Sequence, residues 1–284
     1  MKCPSLLCFL IIFLTLSPAF SQNLPSLLTD KNINSTFSIL AYDPEAKEWG
    51  IAVATDNIYV GTSTIYIEPG VGAFSVIAET HPMYGLEGLQ KLRAGKSIER
   101  AISEIRAEDQ AAHYRQVSGI DAKGNVYAFT GQAVKYWQGY AAAMMGDGYV
   151  VMGNQLAEDV LTEMARTFEQ SKGTLAQRLV ESLAAGQSEG GQISGKQSAA
   201  VVVKGSQNEW FMQIDLRVDH SQTPIADLQV LLDYHYGRIR LNQALYAQRA
   251  NNLPRAQQKL AEAEKMLAGW TGMYAKIARA HILM

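Results

Sequence analysis

Past its first few residues the chain has no cysteine, because its only two, Cys3 and Cys8, lie at the extreme N-terminus. The remainder can form no disulfide, present no thiol nucleophile and ligate no zinc through sulfur. A chain of this size can do without such staples, since its core is sizeable. Neither sign of charge dominates, with 25 Lys and Arg against 27 Asp and Glu. The strongly basic face that a nucleic-acid partner favours is therefore not expected. The five histidines, His81, His113, His220, His235 and His281, are scattered without a His-x-x-x-His pair. A P-loop, a Gly-x-Ser-x-Gly elbow and a GxGxxG strand-to-helix turn are also missing. No metal and no organic cofactor is expected.

One apolar run is present, Leu6 to Leu16 (LLCFLIIFLTL), and it is short for a bilayer span. Lys2 precedes it, and Ala19 and Ser21 provide small residues before Gln22. Residues 1–21 are thus predicted to be a signal peptide, with export to a bacterial periplasm or beyond and no membrane attachment after cleavage. The competing readings are an uncleaved anchor and a lipoprotein, the latter disfavoured by Leu7 before Cys8. Residues 22–35 read as a polar, turn-rich leader.

From Thr36 hydrophobicity alternates, and Asp43-Pro44 opens a turn from which Trp49 to Ala54 returns. Two strands, Ser63 to Ile67 and Gly72 to Glu79, precede helices over Glu87 to Lys96 and Ser97 to Ala107, the second capped by Ser97. Strands Tyr114 to Asp121, Asn125 to Thr130 and Tyr149 to Met152 follow, then helices Glu158 to Gln170 and Leu175 to Ala185. The glycine-rich stretch Gly186 to Gln197 (GQSEGGQISGKQ) reads as a flexible connector, or else as an anion cradle. Strands Ser198 to Val203 and Trp210 to Val218 close a body over residues 36–219. Strand runs alternating with helix pairs predict a layered α+β sandwich. Residues 224–284 are helical in pattern, one hairpin joining at Asn251 to Pro254 in tetratricopeptide-like fashion. That tail carries eight Lys and Arg against four Asp and Glu, a solvated face or a docking surface for a protein.

Several stretches resemble the family called domain of unknown function 1028: TFSILAYDPEAKEWGIAVATDNIYVG, PGVGAFSVIAETHPMYGLEGLQKLRAGKS, YRQVSGIDAKGNVYAFTGQ, GNQLA, GGQISGKQSAAVVV and DLRVD, in order along residues 36–219. That family is similar to the N-terminal nucleophile (Ntn) hydrolases. The resemblance implies a four-layer αββα fold and a hydroxyl nucleophile activated by its own α-amine, whose pKa near 8 suits neutral pH. It places Thr36 as that nucleophile, which requires the Ser35–Thr36 bond to be cut, and leaves Ser35 as the fallback. Asp56 would orient the amine, with Asn57 nearby. Many relatives carry serine at the Asp56 position, and no lysine occurs over Ser63 to Glu79. Glu79 or His81 would then polarise the site.

Each candidate has a plainer role. Thr36 suits a strand start, Asp56 an Asx-turn, and His81-Pro82 a loop before a helix. Asn154 after Gly153 is an oxyanion donor or a turn residue. Arg115 and Gln197 could meet an anionic substrate or bond to backbone. Two functions are expected from this: an exported hydrolase of a small amide or peptide-like C–N bond, or a catalytically silent binding scaffold. A protein at the helical tail and a second copy of the chain are further candidate partners. On the hydrolase reading, Thr36 lies at the floor of a cleft between sheets, within hydrogen-bond reach of Asp56.

Overall fold

The structure, a computed structural model, describes residues 35–209 and 212–284. The expected signal peptide and nearly all of the leader lie outside these residues. In chain order the elements are β1 (Thr36–Asp43), β2 (Glu48–Thr55), α1 (Gly61–Thr64), β3 (Ile65–Glu68), β4 (Gly72–Ala78), α2 (Met83–Arg93), α3 (Ile98–Glu108), β5 (Arg115–Asp121) and β6 (Val126–Thr130). There follow β7 (Tyr140–Gly146), β8 (Tyr149–Leu156), α4 (Val160–Gln170), α5 (Leu175–Ser188), β9 (Ser198–Gly205), β10 (Ile214–Val218), α6 (Pro224–Arg249), α7 (Leu253–Met266) and α8 (Tyr274–Leu283). The larger sheet runs β10-β9-β2-β1-β8-β7 and the smaller β3-β4-β5-β6. Every pairing within them is antiparallel.

The layering follows from strands that are apolar on both faces. Successive side chains of a strand point to opposite sides. In β1, Phe37, Ile39 and Ala41 join Leu161, Met164, Leu179 and Leu183 of α4 and α5. Leu40 points the other way, meeting Ala73 and Ile120 of the smaller sheet beside Trp49 and Ile51. The outer face of the smaller sheet, Phe74, Val76 and Val117, packs on Leu89, Ile98 and Ile102 of α2 and α3. The order through the body is helices, sheet, sheet, helices, and the mixed α+β class expected from the sequence is present.

Local chemistry holds the outer helices. Ser97 caps α3 by accepting from the Arg100 N–H, and Thr174 and Gln177 form a reciprocal capping box at α5. Gly50 lets α5 close on β2, since a Cβ there would stand 2.5 Å from Leu179 Cδ1. Among the described residues no helix is long and apolar enough to cross a membrane.

Five details depart from the sequence reading, the first being that Ser63 and Thr64 end helix α1 and the strand expected from Ser63 begins at Ile65. α2 starts at Met83 rather than Glu87, and β10 is described from Ile214, Trp210 and Phe211 of the expected strand lying outside the described residues. β7 is an unforeseen edge strand, because YAAAMMG lacks polar alternation. The boundary after Asp219 is not a boundary in packing. Ile225, Leu228 and Leu232 of α6 belong to the main core with α4 and α5, while Leu241 and Ala244 of the same helix join α7 and α8 in a separate cluster. The polar Ser221–Pro224 stretch marks the start of a helix, with Pro224 in its first turn, and not a linker between units.

Candidate active site

The register of the central strands decides which candidates can meet. Thr36 is opposite Thr55 on β2 and opposite Asn154 on β8. All three side chains therefore share the face toward the smaller sheet. Thr36 Oγ1 and Thr55 Oγ1 lie 3.0 Å apart. Thr55 gives its single hydroxyl hydrogen to the Ser35 carbonyl at 2.7 Å. The Thr36 hydroxyl must then be the donor to Thr55, so the protons are ordered Thr36 to Thr55 to the Ser35 carbonyl.

That carbonyl collects two further donors. Gln192 Nε2 donates to it at 2.8 Å, and the Asp56 backbone N–H at 3.3 Å. Three donors converge on the acceptor of the peptide bond that joins Ser35 to Thr36. Ser35 is 0% exposed and Thr36 6%. Among the described residues the expected open cleft is absent at Thr36, which is closed off from solvent with the buried Ser35 packed at the start of β1. A cavity of about 510 Å³ opens nearby between β6 and β7, lined by Ala128, Thr130, Tyr140 and Ala142. It reaches the neighbours of Asn154 and not Thr36.

The expected pairing of Thr36 with Asp56 does not occur. With Thr36 opposite Thr55, Asp56 falls opposite Ser35 and its side chain takes the other face. Its carboxyl is half-buried, and burial raises its pKa. The Ser194 hydroxyl and the Ser35 backbone N–H oppose that rise without cancelling it. Asp56 Oδ1 is buried with no partner. Asn57 is exposed and serves the turn, its Oδ1 accepting from the Ile58 N–H at 2.9 Å and its carbonyl from Ser198 Oγ at 2.6 Å.

Asn154 is fully buried beside Thr36. Its Nδ2 donates to Gln116 Oε1 at 3.1 Å, and its Oδ1 has no partner. Gln116 reaches across from β5 and also donates to the Gly153 carbonyl at 2.8 Å, tying the two sheets together at the site. Immediately after Asn154, Gln155 takes φ 51°, a conformation that a side chain rarely adopts and that accumulates at functional sites. His81 keeps within its own turn, its Nδ1 accepting from the Met83 N–H at 3.4 Å and its ring edge-on to Tyr84. It makes no hydrogen bond to Thr36 or Asp56. Arg115 is held by Asp109 at 2.9 Å and by the Glu79 carbonyl at 2.8 Å, a structural clamp. Burial pushes Asp109 up, but Arg115 and the Ala111 N–H together bring it below the usual carboxylate range. Among the described residues no group of three or more His, Cys, Asp or Glu converges as a metal site would.

Sequence reasoning missed Thr55, Gln116, Gln192 and Ser194. Two of these belong to the glycine-rich stretch, which is no loose connector. Leu156 bridges to Gln192, the Ile193 N–H donates to the Gln155 carbonyl at 3.0 Å, and the Gln197 N–H to the Thr55 carbonyl at 2.9 Å. The stretch is thereby sewn over the end of β1, and Ser194 Oγ meets Ser35 Oγ. The available signal was the pair of amide and hydroxyl side chains inside GGQISGKQ.

The chain matches the family model described as "Family of unknown function (DUF1028)" over residues 36–228. That match opens on the first residue of β1 and ends inside α6. A crystal structure of a DUF1028 protein from Silicibacter pomeroyi is similar at 32% identity and TM-score 0.64, covering 70% of this chain and 84% of that one. Anbu (ancestral beta-subunit) from Yersinia bercovieri is similar only distantly, at 10% identity and TM-score 0.31 over 68% of this chain and 91% of that one. No curated protein matches the chain.

Proposed function

We propose, from the premise that this chain belongs to the DUF1028 family of unknown function, that it is an exported hydrolase of the Ntn type. It would cut its own Ser35–Thr36 bond and then act on a small amide or peptide-like C–N bond. The observation that carries this reading is the Ser35 carbonyl, held by Thr55, Gln192 and the Asp56 N–H next to the Thr36 hydroxyl. A ground-state carbonyl has two lone pairs and rarely needs three donors. The negative oxygen of a tetrahedral intermediate does.

Self-cleavage then balances as follows. Thr36 Oγ1 bonds to the Ser35 carbonyl carbon, and its proton leaves through the Thr55 hydroxyl. The C–N bond breaks, and the Thr36 nitrogen takes a proton and becomes a free amine. Water hydrolyses the resulting ester, leaving a carboxylate on Ser35 and restoring the Thr36 hydroxyl. The new α-amine, with a pKa near 8, is the base that Thr36 otherwise lacks. It would deprotonate the hydroxyl for attack on substrate, and the three donors left by Ser35 would hold the next oxyanion.

Intact mass and N-terminal sequencing of the exported protein test this reading. A chain beginning at Thr36, acylated at Thr36 by a small electrophilic acyl probe, supports it. The Thr36→Ala variant is expected to stay uncut and unlabelled while still melting cooperatively, about 1–3 kcal/mol below the parent for its lost buried hydrogen bond. A mature chain that begins at Gln22 and takes no label would favour the silent scaffold. Its docking surface would then be the tail, where Tyr246, Tyr274 and Ile282 are exposed.

A further inference from the structure

Among the described residues Ser35 occupies the site, and it is held at each of its polar groups. Its carbonyl takes the three donors already described. Its hydroxyl meets Ser194 Oγ, its carbonyl accepts from the Asp56 backbone N–H at 3.3 Å, and its own backbone N–H is among the groups that oppose the upward shift of the Asp56 pKa. The walls are fixed, because Ser194 lies between Ile193 and Gln197, both hydrogen-bonded by their N–H groups to the backbone around the site. Gly195, at φ 135°, brings backbone close to Asp56, where a Cβ would stand 4.0 Å from the Asp56 Cβ. The space that Ser35 itself fills has the size and polarity of one serine residue.

One contact in this arrangement is incomplete. Asp56 Oδ1 is buried without a partner, although an anion out of water calls for a cation or several donors. The neutral amide N–H of Ser35 does not supply the missing charge. An ammonium at the same nitrogen would.

We propose that this pocket selects an acyl donor with a free α-amine and a small hydroxylated side chain, so that the enzyme removes N-terminal seryl or threonyl groups from amides and peptides. The inference rests on the hydrolase reading above and adds the substrate class to it. The substrate carbonyl would replace that of Ser35 against Thr55, Gln192 and the Asp56 N–H. Its ammonium would pair with the Asp56 carboxylate and its hydroxyl with Ser194. The seryl C–N bond breaks as the seryl ester of Thr36 forms, the amine product leaves with the hydroxyl proton relayed by the Thr36 α-amine, and water releases serine. The raised pKa of Asp56 fits this assignment, since a bound cation would return the carboxyl to its ionised form.

The processed protein is assayed with aminomethylcoumarin amides of serine, threonine, leucine and N-acetylserine. Seryl and threonyl amides are expected to exceed the leucyl and N-acetylseryl amides by at least tenfold in kcat/KM, the cost of losing one such contact. Asp56→Asn should collapse the ratio of free to N-acetylated serine toward one. With the alanyl amide added to the panel, Ser194→Ala should collapse the ratio of seryl to alanyl amide without changing the amine preference. Thr36 labelling with leucyl or N-acetylseryl turnover equal to seryl overturns the proposed selectivity and leaves the hydrolase reading standing. Labelling of Thr36 without turnover of any of these amides also overturns it. Absence of both labelling and turnover removes the hydrolase reading, and this inference with it.

Discussion

Replacing Thr55 by valine exchanges one hydroxyl for a methyl of nearly the same size at a buried position. The lost hydroxyl donates to the Ser35 carbonyl at 2.7 Å and stands 3.0 Å from Thr36 Oγ1. It is at once a donor to the developing oxyanion and the first acceptor for the nucleophile's proton. Loss of one oxyanion donor typically costs about 10²–10³ in rate. Gln192 and the Asp56 N–H remain, so self-cleavage should slow by that factor and not stop. Stability falls for a separate reason. The Thr36 hydroxyl and the Ser35 carbonyl each lose a buried partner, worth about 1–3 kcal/mol in all, or about 2–4 °C in Tm for each kcal/mol in a chain of this size. The assay is a time course of intact mass on freshly purified uncut chain, far below the melting temperature. Thr55→Ser keeps the oxygen and should cut at close to the parental rate while losing stability through its missing methyl. A valine variant that cuts as fast as the parent would refute the proton order and the role given to the three donors.

Four further outcomes follow from the packing and the charges. Burial places the Asp56 pKa above its unfolded value near 4, so the folded state binds this proton more tightly than the unfolded one. The corresponding stability is fully present at low pH and is lost as pH rises from about 4 through the raised value. Asp56→Asn should remove that loss, so its denaturation free energy relative to parent must increase across the window; a constant difference would contradict the assignment. Leu228→Ala removes a fully buried side chain from the main core and should cost about 2–5 kcal/mol. A chain ending at Asp219, which lacks Ile225, Leu228 and Leu232 as well, should show no cooperative melt, and a normal one would restore the boundary expected from composition. Gly85→Ala would place a Cβ 2.1 Å from the Tyr66 ring, lifting α2 off β3 at about 1–3 kcal/mol; an unchanged Tm would show that the helix can shift freely.

Much of the architecture was legible because strand alternation and helix spacing are strong signals in a body with two buried sheet faces. β1, β4, β5, β6 and the helices α3, α4 and α5 fall where the pattern places them. The site was legible only in part, for a reason of parity. The hairpin reading put the second strand at Trp49 to Ala54 without fixing its register, and a slip of one residue sends every side chain to the opposite face. Asp56 therefore looked like the neighbour of Thr36, although the pairing of Asp43 with Glu48 puts Thr55 there. Gln116 could not be assigned a role, since its importance lies in a contact across sheets with Gly153 and Asn154. The glycine-rich stretch looked loose because glycine signals backbone freedom, whereas its order comes from hydrogen bonds to β2 and β8.

The 26 residues of α6 correspond to a rod of about 39 Å at 1.5 Å per residue. Its first turns are rooted among Leu161, Leu179 and Leu183 of the body, and its last turns carry α7 and α8. Without a break in its hydrogen-bond ladder there is no pivot between root and tip. The hairpin at the far end behaves as the handle of a rigid tool, so that whatever grips it also sets the orientation of the sandwich. A pull or twist applied there is delivered to the helix pair that covers the larger sheet, the layer directly behind Phe37 and the start of β1.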